Sequence, residues 1–309
     1  MPNIPSNGQG THSSCFPEGN WLYAKLAKDF IEDAMDGKHI ASLLKERFIS
    51  HLLSVPDPRE EHSWERSLPV MARVMASAGM RDQLVLLEYC PPSRDRCPSR
   101  VDMVICGQDS AGKTHVVLLE LKQWSCDFLR RSWKRGYVRV GAGNECVEKE
   151  HPRSQVEKYR RHMRKVLEVC DLPPDFLVFE AYAYLHNAHH LSRKAKRILY
   201  GKHHDHDLDT RLYTEEFTGA LIKRLREHVG AGHGQEAFAA LKEVQKRAIH
   251  AVKRLPIRRR WPFYKKMYYA FLRRMKRDWF LRWQLSALFL FVVVPLIILI
   301  GGVWWVLSR

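Results

Sequence analysis

Apolar residues in the first eighty positions recur every three or four residues, the period of amphipathic helices. Leu22, Leu26, Phe30 and Ile31 share one face over Trp21–Met35, and Leu43, Leu44, Phe48 and Leu52 share one over Ile40–Leu53. Pro56-Asp57-Pro58 stops this helical preface. A third helix follows over Glu61–Ala78, carrying Trp64, Leu68, Met71, Val74 and Met75, and Gly79 ends it. The period then changes. Gln83–Tyr89 is a continuous apolar run of strand length, closed by Cys90-Pro91-Pro92, and Val101–Cys106 and His115–Leu121 are two more. The polar, glycine-bearing segment between the last two predicts a β-hairpin. Ser125–Glu150 reads as an irregular excursion with a small hairpin through Tyr137–Val140, Gly141–Asn144 and Glu145–Val147. A helix with proline in its first turn follows over Pro152–Cys170, then a strand over Phe176–Leu185. Helices are predicted at Ser192–Tyr200, Glu215–Val229 and Gln235–Leu255. The core order is therefore helix, three strands, helix, strand: an α/β protein with added helices.

The hairpin breaks its own apolar pattern with charge. Asp102 opens the first strand, and Glu120 stands near the end of the second. A turn centred near Ala111 puts these two opposite each other, where facing Cβ atoms lie about 4.5–5.5 Å apart. Lys122, two residues on, projects from the same face as Glu120, while Leu121 points into the core. Two carboxylates that close repel by roughly 4 kcal/mol at an effective dielectric near 20. A divalent cation between them removes that cost, and the adjacent lysine then orients a water or stabilises charge on a phosphate. The pattern predicts a metal-dependent phosphodiesterase.

Asp102 followed by Glu120-Leu121-Lys122 on the neighbouring strand resembles the motif of the PD-(D/E)XK nuclease superfamily. The longer run LEYCPP…RVDMVICG…VVLLELKQW…HPRSQVEKY resembles more closely the nuclease-like domain that often precedes Schlafen-group helicase domains, here without the helicase. Val101 stands where the superfamily's name has proline. The resemblance covers roughly Trp21 to Val229 and implies a restriction-endonuclease-like αβββαβ core. It also implies Mg²⁺ (or Mn²⁺) held by Asp102, Glu120 and the Leu121 carbonyl, with Lys122 positioning the attacking water. QVEKY matches a Gln-x-x-x-Tyr element of some exonuclease branches, so Gln155 and Tyr159, four apart on one helix face, are implied to orient substrate or water. The superfamily often adds a glutamate from its first core helix; Glu65 is favoured, with Glu61 on the same helix and Glu88 at a strand end as alternatives. DNA is implied over RNA as substrate. The rival reading is a catalytically inactive, membrane-tethered nucleic-acid-binding or scaffold protein of the same fold.

Other motifs carry less. Gly107-Gln108-Asp109-Ser110-Ala111-Gly112-Lys113-Thr114 spells a Walker A loop, yet it leads into the β-branched run of the second hairpin strand. A phosphate-binding loop must open a helix N-terminus, so no nucleotide is expected. Arg130, Arg131, Lys134 and Arg135 interleave with Trp133 and Tyr137, the composition either of a nucleic-acid groove or of a solvated loop. The clusters His186/His189/His190 and His203/His204/His206 lack partner cysteines at zinc spacing and read as surface. The seven cysteines (Cys15, Cys90, Cys97, Cys106, Cys126, Cys146, Cys170) are scattered, which predicts free thiols in a reducing compartment.

Charge changes the picture only at the C-terminal end. The formal net charge is +17, but residues 251–309 hold 13 Lys or Arg against the single acid Asp278, so about +5 remains for the rest. Leu285–Leu307 is almost wholly apolar and, as a helix, is about 34 Å long, enough to cross a bilayer. Trp279 and Trp283 before it, and Trp304 and Trp305 near its end, suit the two interfaces. The expected organisation is a flexible lead (1–20), the nuclease-like domain (21–230), an amphipathic helix and basic aromatic segment (231–284) lying on anionic lipid, and a transmembrane helix (285–307). Positive charge before the span retains the N-terminal domain in the cytoplasm.

Overall fold

A computed structural model describes residues 20–52, 54–93, 100–125, 129–141, 146–201 and 211–251. All belong to the first of two compact units, Met1–Pro256 and Ile257–Arg309. The expected lead, the tip of the small hairpin, His203/His204/His206, the basic aromatic segment and the 285–307 span lie outside the described residues. Among the described residues no helix is long and apolar enough to cross a membrane.

The protein is an α/β fold around a mixed six-stranded sheet ordered β1-β2-β3-β4-β8-β9. The strands are β1 (Tyr23–Leu26), β2 (Leu84–Tyr89), β3 (Val101–Gln108), β4 (Thr114–Lys122), β8 (Val178–Leu185) and β9 (Leu212–Thr214). β1 to β4 pair antiparallel, and β4–β8 and β8–β9 pair parallel. Apolar residues on both faces of β2–β4 explain their unbroken runs. One layer packs Val104, Cys106, Val116 and Leu118 against α4 (Pro152–Val169) and α7 (Gly234–Ala251). The other packs Val85, Met103, Ile105, Val117 and Leu119 against α1 (Ala27–Met35), α2 (Gly37–Leu52), α3 (Pro58–Ser77) and α6 (Thr218–Val229). α5 (Arg193–Tyr200) and a 3-10 turn (Glu215–Phe217) complete the connections. The order α3, β2, β3, β4, α4, β8 is the expected helix, three strands, helix, strand.

Two expectations shift. The helix expected over Trp21–Met35 begins only at Ala27, because Tyr23–Leu26 pairs along the edge of β2, with Leu22 N donating to Leu87 O at 3.0 Å. The spacing Leu22, Leu26, Phe30 suits a helix face, but β2 offers backbone groups that local periodicity cannot reveal. The excursion after β4 is more regular than expected: β5 (Leu129–Arg131), β6 (Tyr137–Val140) and β7 (Val147–Glu150) form a separate antiparallel sheet. β9 is likewise a strand that three residues of sequence do not announce.

The Walker-like loop is the β3–β4 turn. Asp109 Oδ1 accepts from Ala111 N and Lys113 N, both at 2.9 Å, and Gly112 takes φ +77°. Gly107 serves packing: a Cβ there would stand 2.8 Å from the Cβ of Val229 on α6. The histidines expected at the surface part company, for His186 is buried against Ser67 Oγ at 2.9 Å whereas His189 pairs with Glu215. The cysteine expectation needs a correction. Cys106, Cys146 and Cys170 are free, but Cys90 is disulfide-bonded. Sequence spacing does not report Cβ separation, so it could not exclude the bond. Cysteine content therefore gives no support for a reducing compartment.

Burial pushes the His186 imidazole down to about 4. The unfolded chain takes up that proton near pH 6.5 and the folded chain does not, so stability is lost as pH falls from 6.5 to about 4, by at most about 3 kcal/mol. His186→Gln can keep a bond to Ser67 without titrating. The parent's advantage in melting temperature over this variant should shrink across that window; a gap independent of pH would show that His186 does not carry the acid sensitivity.

Candidate active site

The registers of three neighbouring strands place three carboxylates at one level of the sheet. β2 pairs with β3 at Leu87↔Met103 and Tyr89↔Val101, which puts Glu88 across from Asp102. β3 pairs with β4 at Met103↔Leu119, and the next step brings Asp102 to Glu120, the predicted facing. Asp102 Oδ2 accepts from Leu121 N at 2.7 Å, which fixes that carboxylate at the end of β4. Glu88 has φ +53° one residue before the end of β2. A non-glycine residue there is strained. The local twist has a visible consequence: Leu87 and Tyr89, two residues apart, pack into opposite layers.

The cations divide among these carboxylates. Lys122 Nζ is bound to Glu120 Oε1, and lies 5.8 Å from the Trp124 ring centre. Arg100 pairs with Glu60 and, through Nε at 3.3 Å, with Glu88; its guanidinium also covers Phe48 at 5.2 Å. Trp64 Nε1 donates to Glu88 Oε1 at 2.8 Å. From α4, Gln155 Nε2 donates to the Tyr159 hydroxyl at 2.9 Å. That hydroxyl lies 3.0 Å from both Glu120 Oε2 and Arg100 O, and its single proton serves one of them at a time. Gln155 and Tyr159 thus reach the hairpin as the sequence predicted. Pro152 at the first turn and His151 Nδ1 accepting from Arg153 N start α4 at the height that allows it.

A cavity of about 540 Å³ opens beside this row, lined by Glu60, Ser63, Trp64 and Ser67 of α3, Leu87 and Glu88 of β2, Arg100, Asp102, Leu121, Lys122, and Lys149 of β7. Glu65 does not join it: the side chain is partly exposed and lies 3.8 Å from His62. Glu61 pairs with Lys45. Of the three glutamates that sequence left open, Glu88 is the one beside Asp102. Arg100, Trp64, Glu60 and Lys149 carry no motif. Their only sequence signals are an arginine one residue before a carboxylate-bearing strand and a tryptophan on a helix otherwise lined with smaller apolar residues.

Electrostatics make the cluster unstable by itself. Burial, then the charge of Glu120, hold the Asp102 carboxyl well above the usual carboxylate range, with Lys122 only partly opposing. Burial pushes Glu88 up to about 7 against the pull of Arg100 and Trp64. Burial works to lower Lys122, but the charges of Glu120 and Asp102 outweigh it and its pKa is raised, so it stays a cation. Burial, then Glu120 and Asp102, also raise Tyr159, which stays a neutral hydroxyl. The donors are hard oxygens in a like-charged row, the set that Mg²⁺ or Mn²⁺ prefers. Among the described residues no three His, Cys, Asp or Glu close around one point. Mg²⁺ takes one or two carboxylates and keeps water or substrate oxygens for its remaining positions. The residues present therefore fit such an ion at Asp102, Glu120 and the Leu121 carbonyl.

A raised Asp102 pKa means stability is lost as pH rises from the unfolded carboxylate value towards it, so at pH 8 the folded protein bears a cost at this carboxyl that it does not bear near pH 4. Asp102→Asn keeps an oxygen for Leu121 N and removes the charge. In EDTA at pH 8 its melting temperature should exceed the parent's by more than about 2 °C, a gain that fades towards pH 4. Added Mg²⁺ should raise the parent and leave the variant unmoved. A variant less stable than the parent at pH 8 would show that Asp102 is not under repulsion. Comparison of the chain with protein-family models, with curated proteins and with solved structures finds no match, so the site is read from its own residues.

Proposed function

We propose that the protein is a Mg²⁺- or Mn²⁺-dependent nuclease with a restriction-endonuclease-like core, acting on nucleic acid, DNA before RNA, and held at a membrane by residues 285–307. The observation that carries the reading is the row Glu88, Asp102, Glu120 on adjacent strands, with Lys122 beside it and a cavity rimmed by Arg100 and Lys149. A cluster of buried like charges costs stability, and apolar residues would pack better there. A site for a divalent cation and a phosphodiester accounts for it.

Asp102, Glu120 and the Leu121 carbonyl would hold the ion, which when bound supplies charge to the phosphate and acidity to a water. Lys122, kept cationic by its two carboxylate neighbours, moves from Glu120 to the incoming phosphate and orients the nucleophile beside it. Tyr159 holds Glu120 in place by its hydroxyl, and Gln155 fixes that hydroxyl in turn. Arg100 opposes the effect of burial on Glu88 and presents positive charge to the cavity. Glu88, with a pKa near neutrality and Trp64 as a fixed donor, is placed to accept a proton close to the row. A second reading, a catalytically inactive nucleic-acid-binding scaffold, draws on the same ion pairs: Lys122 and Arg100 already neutralise Glu120 and Glu88 without metal.

Cleavage of linear, circular and single-stranded DNA by full-length protein in neutral detergent, with Mg²⁺, Mn²⁺ or EDTA, separates the two. Asp102→Ala, Glu120→Ala and Lys122→Ala should each lower the rate by about 100-fold or more. Gln155→Ala and Tyr159→Phe should lower it less, by about tenfold, because they orient groups rather than supply charge. A parent that binds but never cleaves favours the scaffold.

The membrane part of the proposal rests on the apolar run Leu285–Leu307 and on the charge before it. Twelve Lys or Arg residues lie between Lys253 and Arg282, against Asp278, immediately before the apolar run. Each contributes about 1 kcal/mol beside an anionic lipid surface. In sealed vesicles of known orientation, protease should reach the N-terminal unit from the cytoplasmic side; access only from the other side would reverse the topology.

A further inference from the structure

The small sheet β5-β6-β7 enters the chemistry above only through Lys149. It is inserted between Lys122 on β4 and Gln155 on α4, so both of its ends spring from site residues. Its position against α4 is fixed: His151 N donates to Gly136 O at 2.9 Å, and a Cβ on Gly136 would stand 3.4 Å from Ser154 Oγ. Leu129 and Val138 are buried, the former in the layer that holds α4, which seats the sheet on the main body. At its far strand Lys149 enters the cavity.

Charge on this sheet is unlike that around the site. Arg100, Lys122, Lys158, Arg160, Arg161 and Arg211 all sit in ion pairs with carboxylates. Among the described residues Arg130, Arg131, Lys134, Arg135, Arg139 and Lys149 have none, although Glu148 and Glu150 lie on the same sheet. Glu148 is bonded to Ser132, Glu150 to Lys158, and Lys134 lies over the Tyr137 ring at 3.2 Å. The register aligns Arg131, Val138 and Lys149 in one row across the three strands. That row leads from the cavity to exposed Arg131 over two strand spacings, about 10 Å. Trp133, 62% exposed, stands between the arginines.

We propose that this sheet is the strand guide of the nuclease reading, on which it rests: its exposed cations Arg130, Arg131 and Lys149, with half-buried Arg139, carry the phosphodiester backbone of a single-stranded segment away from the cavity. Cations left without carboxylate partners release condensed counterions when phosphates replace them, and this drives binding whatever the sequence. A cavity of about 540 Å³ is of the size that holds one small ligand, such as a nucleotide at the end of a single strand. An exposed indole among cations is a platform on which any base stacks. An anionic lipid surface shares the phosphate chemistry, but it offers nothing to a cavity that receives Lys149.

The test is binding, kept apart from cleavage. Full-length protein in neutral detergent with EDTA is titrated with a labelled 20-nucleotide single strand and with its duplex, over a range of salt. Arg130→Gln/Arg131→Gln/Arg139→Gln is compared with the parent and with Lys28→Gln/Lys223→Gln/Lys246→Gln, an equal charge change at exposed sites outside the sheet. Unchanged melting temperatures, or the two exposed single variants Arg130→Gln and Arg131→Gln, guard against misfolding. The sheet variant should lose about 2 from the slope of log affinity against log salt for the single strand, and at least about tenfold in affinity at 0.1 M salt. The control should match the parent. Equal losses in both triple variants, loss for the duplex alone, or loss of attachment to phosphatidylserine vesicles with DNA binding intact would each overturn the guide. A parent that binds in this way yet cleaves nothing would remove the nuclease reading and leave the guide standing. A cleaving parent whose sheet variant binds and cleaves equally well would do the reverse.

Discussion

Carboxylates buried between two apolar layers must be neutralised, and much of the site follows from that requirement. Asp102 receives a backbone N–H, Glu120 a lysine and a tyrosine hydroxyl, Glu88 an arginine and an indole. The partners come from β4, α4, α3 and the residue before β3, so satisfying three charges ties β2, β3, β4, α3 and α4 together at one end of the sheet. Neutralisation is still incomplete, because Asp102 and Glu88 remain hard to ionise. An arrangement that carries such a cost in the resting state is what a cation-dependent site requires, and a packed structural core does not.

The same charges explain why rigid and adaptable parts adjoin. The six-stranded sheet is covered by helices on both faces and fixes the three carboxylates to the spacing of a strand ladder. Lys122 and Arg100 are long side chains whose heads can exchange a carboxylate for a phosphate without moving that ladder. The inserted sheet leaves and re-enters at the site, so whatever binds its arginines is aligned with the cavity by covalent connection. Charge at the carboxylate row and charge on the inserted sheet are in this sense separate: the first is paired and buried, the second, among the described residues, is without carboxylate partners and more open.

Backbone strain collects at the same level of the sheet. Glu88 holds a left-handed conformation between two paired residues, and the strand changes the face it presents on either side. An alanine or leucine in regular geometry would place another side chain into an apolar layer. The distortion instead accompanies a carboxylate within reach of Arg100 and Trp64.

Local chemistry determined a good deal of this protein. A turn centred near Ala111 sets the β3–β4 register by arithmetic, and with it the facing of Asp102 and Glu120. Helical spacing places Gln155 and Tyr159 on one face, and apolar runs locate four of the six main strands and most of the helices. Those features are legible because they depend on neighbours in the chain. What depends on distant backbone was not legible. Tyr23–Leu26 is a strand only because β2 has an open edge, and β9 only because β8 does. Glu88, and not Glu65, stands beside Asp102 because β2 pairs with β3, a register that the long connection between them leaves free in the sequence. Arg100 finds Glu60 forty residues away, Cys90 finds its disulfide, and among the described residues six arginines and lysines go without acids because β5-β6-β7 folds as a sheet apart. Pairing across the chain decides who meets whom, and only tertiary structure supplies it.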